Sequence, residues 1–261
     1  MRSRIAASII LATLLAGCGD RPGPASGHRS APGAATDPKA TDVIHDLSDY
    51  FAGLKGFSVK VASEAAYSGQ GGLHIYALTS SVAVERPNKL SFVAEAADGG
   101  GGTLTCDGSN VYAYLPLRKK VTVTPAPPDF ERLFQGLGES MRMVTYIPEL
   151  NALIQGNAYA SLMAKVKTER YLGTEEIRGA TCHHLAFSEE DQDWEMWVEV
   201  GDTPLLRKIR RGEPSAAQAQ TDKTARDEGN MVVTRTFDEW EIDPVFDKGV
   251  FEFEAPPGTA R

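Results

Sequence analysis

The sequence contains fewer basic than acidic residues, with 27 Lys and Arg against 35 Asp and Glu and a net charge of −8. The lysines and arginines form no extended cluster. Proteins that bind nucleic acid, or that adhere electrostatically to anionic lipid headgroups, usually carry a basic patch. We therefore expect no nucleic-acid partner and no charge-driven contact with lipid headgroups.

Long apolar runs are equally scarce, because no stretch after residue 17 is long enough to span a membrane. The apolar run that is present, residues 5–15, follows Arg2 and Arg4 and ends in compact residues just before Cys18. A positive start, a short apolar run and small residues are the parts of a secretory signal peptide. We predict a lipoprotein signal peptide over residues 1–17.

Leu-Ala-Gly-Cys at residues 15–18 resembles the bacterial lipobox, in which the cysteine is acylated and becomes the new N-terminus. Several acyl chains on Cys18 would anchor the protein stably to a membrane, where one chain is marginal. The alternative is an ordinary signal peptide with a chance cysteine. Gly19 stands where inner-membrane lipoproteins usually carry Asp, which favours the periplasmic face of the outer membrane. Residues 18–41 are rich in Gly, Pro, Ala, Ser and Thr after the cysteine and predict a flexible tether.

Cysteine and histidine are rare, with three and five residues in the whole chain. Cys106 and Cys182 would lie in an oxidising compartment, where they either form a disulfide or remain free thiols. In the triplet at 182–184, Cys182 and His184 share one face of a predicted strand and His183 points to the other. The triplet cannot chelate as a unit, so we interpret it as packing and expect no metal site.

Catalytic motifs are absent from the sequence, including Gly-x-Ser-x-Gly, His-Glu-x-x-His and any cysteine nucleophile motif. The glycines at 99–102 lack the Lys-Ser/Thr of a phosphate loop and indicate a turn. We interpret the acidic run 189–191 as a solvated turn and the basic run 207–211 as a solvated strand face. The sequence therefore predicts no enzyme and no cofactor.

Apolar periodicity divides the chain into helices and strands. A first helix is predicted over residues 41–55, with Thr41 or Asp42 as N-cap and Gly56 as the stop. Its apolar stripe consists of Val43, Leu47, Phe51 and Leu54.

From residue 57 the period changes to two, and six strand patterns run to residue 125 as an antiparallel meander. A helical stripe follows over residues 129–142, weakened by Gly136 and Gly138, and a second helical region lies between 147 and 163. Five more strand patterns end at residue 242. The polar stretch 213–229 within them predicts an exposed loop. This order predicts an α+β domain with one large, strongly curved antiparallel sheet.

Helices that cover only one side of a sheet require that side to be apolar. The apolar face either fills a core or, if the sheet curls far enough, lines a ligand cavity under a helical lid. The candidate cavity and lid residues are Phe130, Leu133, Phe134, Leu137, Met141, Leu185, Phe187, Trp194 and Met196.

Several motifs together resemble a family of predicted periplasmic proteins within the LolA/LolB-like lipoprotein-carrier superfamily. They are GFSV at 56–59, ERPNKL at 85–90, CDGSNVYAY at 106–114, YLGTEEIRGATCHHLAF at 171–187, DWEMWVEVGDTPLLRKI at 193–209 and FEFEAPPG at 251–258. The resemblance implies a LolA/LolB-like domain over residues 42–258, a half-open antiparallel β-barrel of eleven strands with helices over its concave side.

The sequence departs from the family pattern at Leu206, where a second proline is usual, and at 213–229, which resembles an insertion. It also shows no obvious exposed apolar loop of the kind that a membrane-docked acceptor would use. We expect a periplasmic lipoprotein, held in the membrane by its lipid anchor, that binds an acyl chain, lipid or lipidated peptide as carrier or sensor. The alternative is an envelope interaction or regulatory protein with the same fold, a protein partner and no lipid cargo.

Overall fold

The computed structural model describes residues 36–69, 72–212 and 231–260. The predicted signal peptide, Cys18, most of the predicted tether and the predicted loop 213–229 lie outside these residues. Residues 34–261 form one compact unit with its own hydrophobic core. In the described ranges, no helix has the length and apolarity needed to cross a membrane.

Eleven antiparallel strands form a single sheet in the order β6-β5-β4-β3-β2-β1-β11-β10-β9-β8-β7. Their bounds are β1 Gly56–Gly69, β2 Gly72–Glu85, β3 Lys89–Ala96, β4 Gly101–Asp107, β5 Asn110–Leu115, β6 Lys120–Pro125, β7 Thr168–Ile177, β8 Ala180–Ser188, β9 Asp193–Glu199, β10 Leu206–Gly212 and β11 Met231–Ile242. The pairing of β1 with β11 joins the first six strands to the last five. The sheet is curved and unclosed, which confirms the predicted α+β class and strand number.

Five α-helices accompany the sheet in the described residues: α1 Pro38–Gly53, α2 Phe130–Gly136, α3 Glu139–Val144, α4 Pro148–Gln155 and α5 Ala158–Met163. The first begins before the predicted Thr41 or Asp42, because Asp37 is the N-cap and accepts a hydrogen bond from the Lys39 amide at 3.1 Å. Pro38 then takes the first helical position, where its missing N–H costs nothing. The predicted apolar stripe of this helix is buried, as expected.

The predicted continuous helix over residues 129–142 is two short helices. Asp129 caps α2 and accepts from the Arg132 amide at 2.8 Å. Leu137 then turns to an extended backbone with ψ of 135°, and Gly138, with ψ of 156°, becomes the N-cap of α3. The helix is therefore interrupted at Leu137, between the two glycines that were expected to weaken it.

The two faces of the sheet differ sharply in their surroundings. We call inner the face whose alternate strand residues share one buried apolar cluster with the helices, and outer the opposite face. On the central strands the inner face includes Phe57, Val59, Val84, Phe92 and Phe237. The helices therefore cover the concave side, as predicted.

Both outermost strands of the sheet, β6 and β7, are contacted by chain segments from outside the sheet. Residue Ala260 forms a parallel bridge to β6, accepting from the Val121 amide at 2.9 Å and donating to the Lys119 carbonyl at 2.8 Å. On the other side, the Asp37 carboxylate accepts from the Tyr171 amide of β7 at 2.9 Å. The same aspartate thus starts α1 and ties it to the sheet.

Candidate functional site

The nine predicted cavity and lid residues are brought together on the inner face. Eight are buried in the apolar cluster, and Phe134 is half-buried against it. Four come from neighbouring strands β8 and β9, where Leu185 lies opposite Met196 and Phe187 lies opposite Trp194. The Phe187 and Trp194 rings stack with centroids 4.0 Å apart. The structure places these residues as one apolar surface, and ligand binding there stays a prediction.

The cover over this surface consists mainly of short helices. Helices α2 to α5 have six to eight residues each. Isolated helices of that length are unstable in water, since helix nucleation is costly and few hydrogen bonds follow it. Their helicity therefore depends on packing against the inner face. A cover of this kind can rearrange without loss of the hydrogen bonds between strands.

Arg86, in the turn after β2, joins two helices of the cover to the sheet. Its guanidinium group donates to the carbonyls of Leu54, Phe51 and Leu153 at 3.1 Å and to that of Ile154 at 2.6 Å. These carbonyls end α1 and α4, where helices lack internal partners and carry partial negative charge. Burial lowers the pKa of Arg86, because it disfavours the charged guanidinium. The hydrogen bonds to the four carbonyls act in the opposite direction and favour the charged form.

A charged cluster lies under α4, where sequence reasoning predicted only solvated charges. The Glu149 carboxylate is fully buried, 2.5 Å from Arg211 Nε and 3.4 Å from Arg235 NH1. Arg211 is also 3.4 Å from Glu189, which is buried, and its guanidinium lies 4.5 Å from the Trp194 ring.

The predictions of solvated charge are thereby wrong for Glu189 and Arg211, while Glu190, Asp191 and Arg210 are exposed as predicted. Arg211 pairs with Val233 and Trp194 on the inner face, and Glu189 is buried beside it. Strand alternation could have located Arg211, because it lies two residues after the buried Ile209. No sequence signal pointed to Glu149 or Arg235.

The Cys182–His184 triplet divides between the two faces, as strand alternation predicted. His183 is on the inner face, where Nδ1 lies 3.1 Å from the Tyr171 hydroxyl, and burial, aided by Lys39, lowers its pKa. His184 is on the outer face and stacks on Trp197 at 4.3 Å. No group of three His, Cys, Asp or Glu side chains in the described ranges is arranged to hold a metal ion.

The alternative of a disulfide between Cys106 and Cys182 is not realised. Both thiols are free and buried, on β4 and β8, which have six other strands between them in the sheet. Burial, together with the Glu199 carboxylate, raises the pKa of Cys182 to about 11. Burial also raises the pKa of Cys106. Both residues therefore serve as neutral packing groups.

The outer face carries an open groove of about 660 Å³, away from the predicted cavity residues. Its lining mixes serines and valines with charged groups, and Lys60 and Glu239 form an exposed ion pair across it at 2.6 Å. A wet, charged groove suits an acyl chain poorly. The inner face remains the better candidate for an apolar ligand.

Apolar side chains are exposed where β1, β2 and β11 extend beyond the core. Leu73, Ile75 and Tyr76 on β2 are 65%, 61% and 64% exposed, and Met231 on β11, which β1 separates from β2, is 58% exposed. The sequence was expected to show no exposed apolar loop. Because these side chains lie on strands β2 and β11 and not in a loop, they do not test that expectation.

Comparison with known proteins agrees with the resemblance drawn from the motifs. A family model described as "Predicted periplasmic protein (DUF2092)" matches residues 40–261. A search of curated proteins gave no significant match.

Solved structures with a similar arrangement include a lipoprotein, a LolA superfamily protein and a complex of two proteins. Lipoprotein LppX of Mycobacterium tuberculosis is 17% identical, with 80% of this chain and 98% of that chain covered and a TM-score of 0.45. A LolA superfamily protein of Nitrosomonas europaea is 14% identical, covering 82% and 97%, with a TM-score of 0.33. The Pseudomonas aeruginosa MucA/MucB complex is 11% identical, covering 83% and 62%, with a TM-score of 0.38. The architecture described above rests on the strand register of this chain itself.

Proposed function

The chain belongs to the family of predicted periplasmic proteins DUF2092, and from that premise we propose that it is a lipid-anchored binding protein. It takes up a hydrophobic ligand, such as an acyl chain, a lipid or a lipidated peptide, between the inner face and the short helices. It acts as a carrier or sensor and performs no catalysis. The periplasmic envelope is its place of action.

One observation carries this proposal: a continuous apolar surface of the sheet is covered by helices too short to be stable alone. Displacing the short helices would expose the apolar inner face, including Phe187 and Trp194, without breaking a strand pair. Burying a chain of ~14 carbons contributes about 10 kcal/mol before entropic losses, at about 0.8 kcal/mol per CH₂. That amount is ample for a carrier that must also release its ligand.

Overfilling the space between the inner face and the short helices should weaken binding of an acyl chain. Leu133 on α2 is buried, so a tryptophan there would occupy volume that an acyl chain needs. For the unit of residues 34–261, we expect Leu133→Trp to weaken binding of a fluorescent fatty acid about tenfold or more, with unchanged far-ultraviolet circular dichroism. Fluorescence titration measures the change.

Leu117→Trp is the matched control, because that leucine is 76% exposed and its replacement should leave binding unchanged. A wild-type protein that binds no fatty acid at micromolar concentration would contradict the proposal. The helices would then complete a solid core.

The lipid anchor at Cys18 is a proposal carried by the lipobox resemblance. Cys18→Ser should remain uncleaved by the lipoprotein signal peptidase and should take up no radioactive palmitate, because the serine hydroxyl cannot replace the acylated thiol. Cys106→Ser, which removes a buried thiol of the domain, should be labelled like the wild type. Equal labelling of the Cys18 variant and the wild type would end the lipoprotein interpretation. Anchoring at the periplasmic face of the outer membrane is the finer part of this proposal.

A second function, an envelope interaction protein without lipid cargo, is favoured by the exposed Leu73, Ile75, Tyr76 and Met231. Leu73 and Ile75 point to one face of β2 and Tyr76 to the other, and exposed apolar side chains of this kind are found on surfaces that bind a protein or a membrane. Mass spectrometry of protein purified gently from its native membrane separates the two functions. Co-purifying lipid supports the carrier or sensor, and a stoichiometric protein supports the interaction protein.

A further inference from the structure

We infer that Arg211 and Arg235 form an anion-binding site on the inner face, which Glu149 of α4 occupies in this structure. The inference rests on the proposed function and names its ligand class: an amphiphile with one apolar chain and a carboxylate or phosphate head. The head replaces the Glu149 carboxylate when the ligand enters. Glu149 is then the counter-ion of the empty protein.

The position of the two arginines supports this role. Arg211 lies opposite Trp194, and Arg235 lies opposite Ile209, so both point into the same face as the candidate cavity residues. Two guanidinium groups on an otherwise apolar surface are costly unless each is paired. In the described residues they face two carboxylates, those of Glu149 and Glu189. Exchanging one carboxylate for one ligand anion conserves the local charge.

The placement of the two carboxylates distinguishes their roles. Glu189 follows β8 directly, and its amide donates a hydrogen bond to the Gln192 carbonyl at 2.9 Å in the turn to β9, so it belongs to the sheet. Glu149 belongs to α4, in the helical cover. If the cover moves, Glu149 leaves with it while both arginines stay on their strands. The two guanidinium groups that remain then need an anion in place of the Glu149 carboxylate.

Unsatisfied polar atoms at the same place provide an independent indication of a polar ligand. Among the described residues, Arg235 Nε, Trp194 Nε1 and Ser63 Oγ are buried and have no hydrogen-bond partner. Ser63 is the cross-strand neighbour of Arg235, and the Trp194 ring lies under the Arg211 guanidinium. Buried donors are rarely left unpaired in folded proteins. Here one donor of the arginine pair and two groups beside the pair lack partners. A head group with several oxygens would satisfy them.

The test compares ligands that differ only in the head group. Hexadecanoic acid, hexadecyl phosphate and hexadecanol compete against a bound fluorescent fatty acid on the unit of residues 34–261, at a pH where the acid is ionised. We expect the acid or the phosphate, or both, to compete at about tenfold lower concentration than the alcohol, because charge-assisted hydrogen bonds are strong in a buried site. Preference between acid and phosphate identifies which head group the site takes.

Variants assign the preference to this cluster. Glu149→Gln should strengthen binding of the anions about tenfold and change binding of the alcohol much less. In the double variant Glu149→Gln, Arg235→Gln, which avoids an unpaired buried carboxylate, the preference for anions should shrink toward unity. Arg210→Gln is the matched control, since Arg210 is exposed on the outer face of β10, the strand that carries Arg211.

The outcomes separate this inference from the proposed function. Equal competition by acid, phosphate and alcohol in the wild type and in Glu149→Gln overturns the anion site and leaves apolar ligand binding intact. An anion preference that the double variant retains also overturns it. Failure of all three ligands to bind overturns the proposed function and the anion site together.

Discussion

Replacing Arg86 by methionine should lower the free energy of unfolding by about 3 kcal/mol or more, since hydrogen bonds to a charged group contribute about 1.5–3 kcal/mol each. The guanidinium group donates to four carbonyls at the ends of α1 and α4. Methionine would fill part of the volume, but the Leu54 and Ile154 carbonyls would lose this donor in a partly buried place. The Phe51 and Leu153 carbonyls would keep only the bonds from the Leu54 and Gly156 amides. Chemical denaturation of the unit of residues 34–261, followed by circular dichroism, measures the loss.

Arg142→Met is the control, because Arg142 is exposed on α3 and its side chain forms no hydrogen bond or ion pair with any other described residue. Arg86→Lys should fall between the two variants, since a single ammonium group cannot reach all four carbonyls. If Arg86→Met and Arg142→Met lose the same stability, water satisfies these carbonyls and Arg86 does not hold the two helices.

The second large effect is expected at Glu149, which is fully buried between two arginines. Glu149→Met would leave Arg211 and Arg235 facing an apolar group. Breaking a buried ion pair by removing one partner costs about 3–5 kcal/mol. We expect a loss of that size in the same denaturation experiment, and a smaller loss for Glu149→Gln, which can still accept hydrogen bonds.

A triple replacement shows whether the loss comes from uncompensated charge. With Glu149, Arg211 and Arg235 all changed to methionine, the buried charges disappear together, and an apolar cluster of similar volume is often as stable as the ionic one. The triple variant should therefore be more stable than Glu149→Met alone. Glu139→Met, at an exposed position of α3, is the control for methionine itself. A triple variant less stable than the single one would mean that Arg211 and Arg235 stabilise the fold through other contacts.

The strands and most helices could be predicted because they depend on local periodicity. Alternation along β9 correctly assigned Trp194 and Met196 to one face and Trp197 to the other. The start of α1 was misplaced because Asp37 lies in a polar, proline-containing stretch that is typical of linkers. The sequence predicted one weakened helix where the structure has α2 and α3, because glycines show where a helix can end but not whether it does end there.

The charged part of the site could not be predicted, because its partners are distant in sequence. Glu149 is 62 residues from Arg211 and 86 from Arg235. Periodicity places each residue on a face of its own element but carries no information about the element opposite. Arg86 was present in a recognised motif, yet its four carbonyl acceptors exist only once α1 and α4 are docked. Long-range polar contacts of this kind are set by tertiary structure.

The contacts that Asp37 and Ala260 make with the outermost strands affect how copies of this protein can associate. An unclosed sheet offers unpaired N–H and C=O groups on which a neighbouring molecule can build another strand. Asp37 accepts a hydrogen bond from one such N–H, that of Tyr171 on β7. Ala260 accepts from the Val121 amide of β6 and donates to the Lys119 carbonyl just before that strand. Lys119, Lys120 and Pro125 further discourage pairing along β6. These contacts thereby hinder edge-to-edge pairing of the sheet with further copies of the chain.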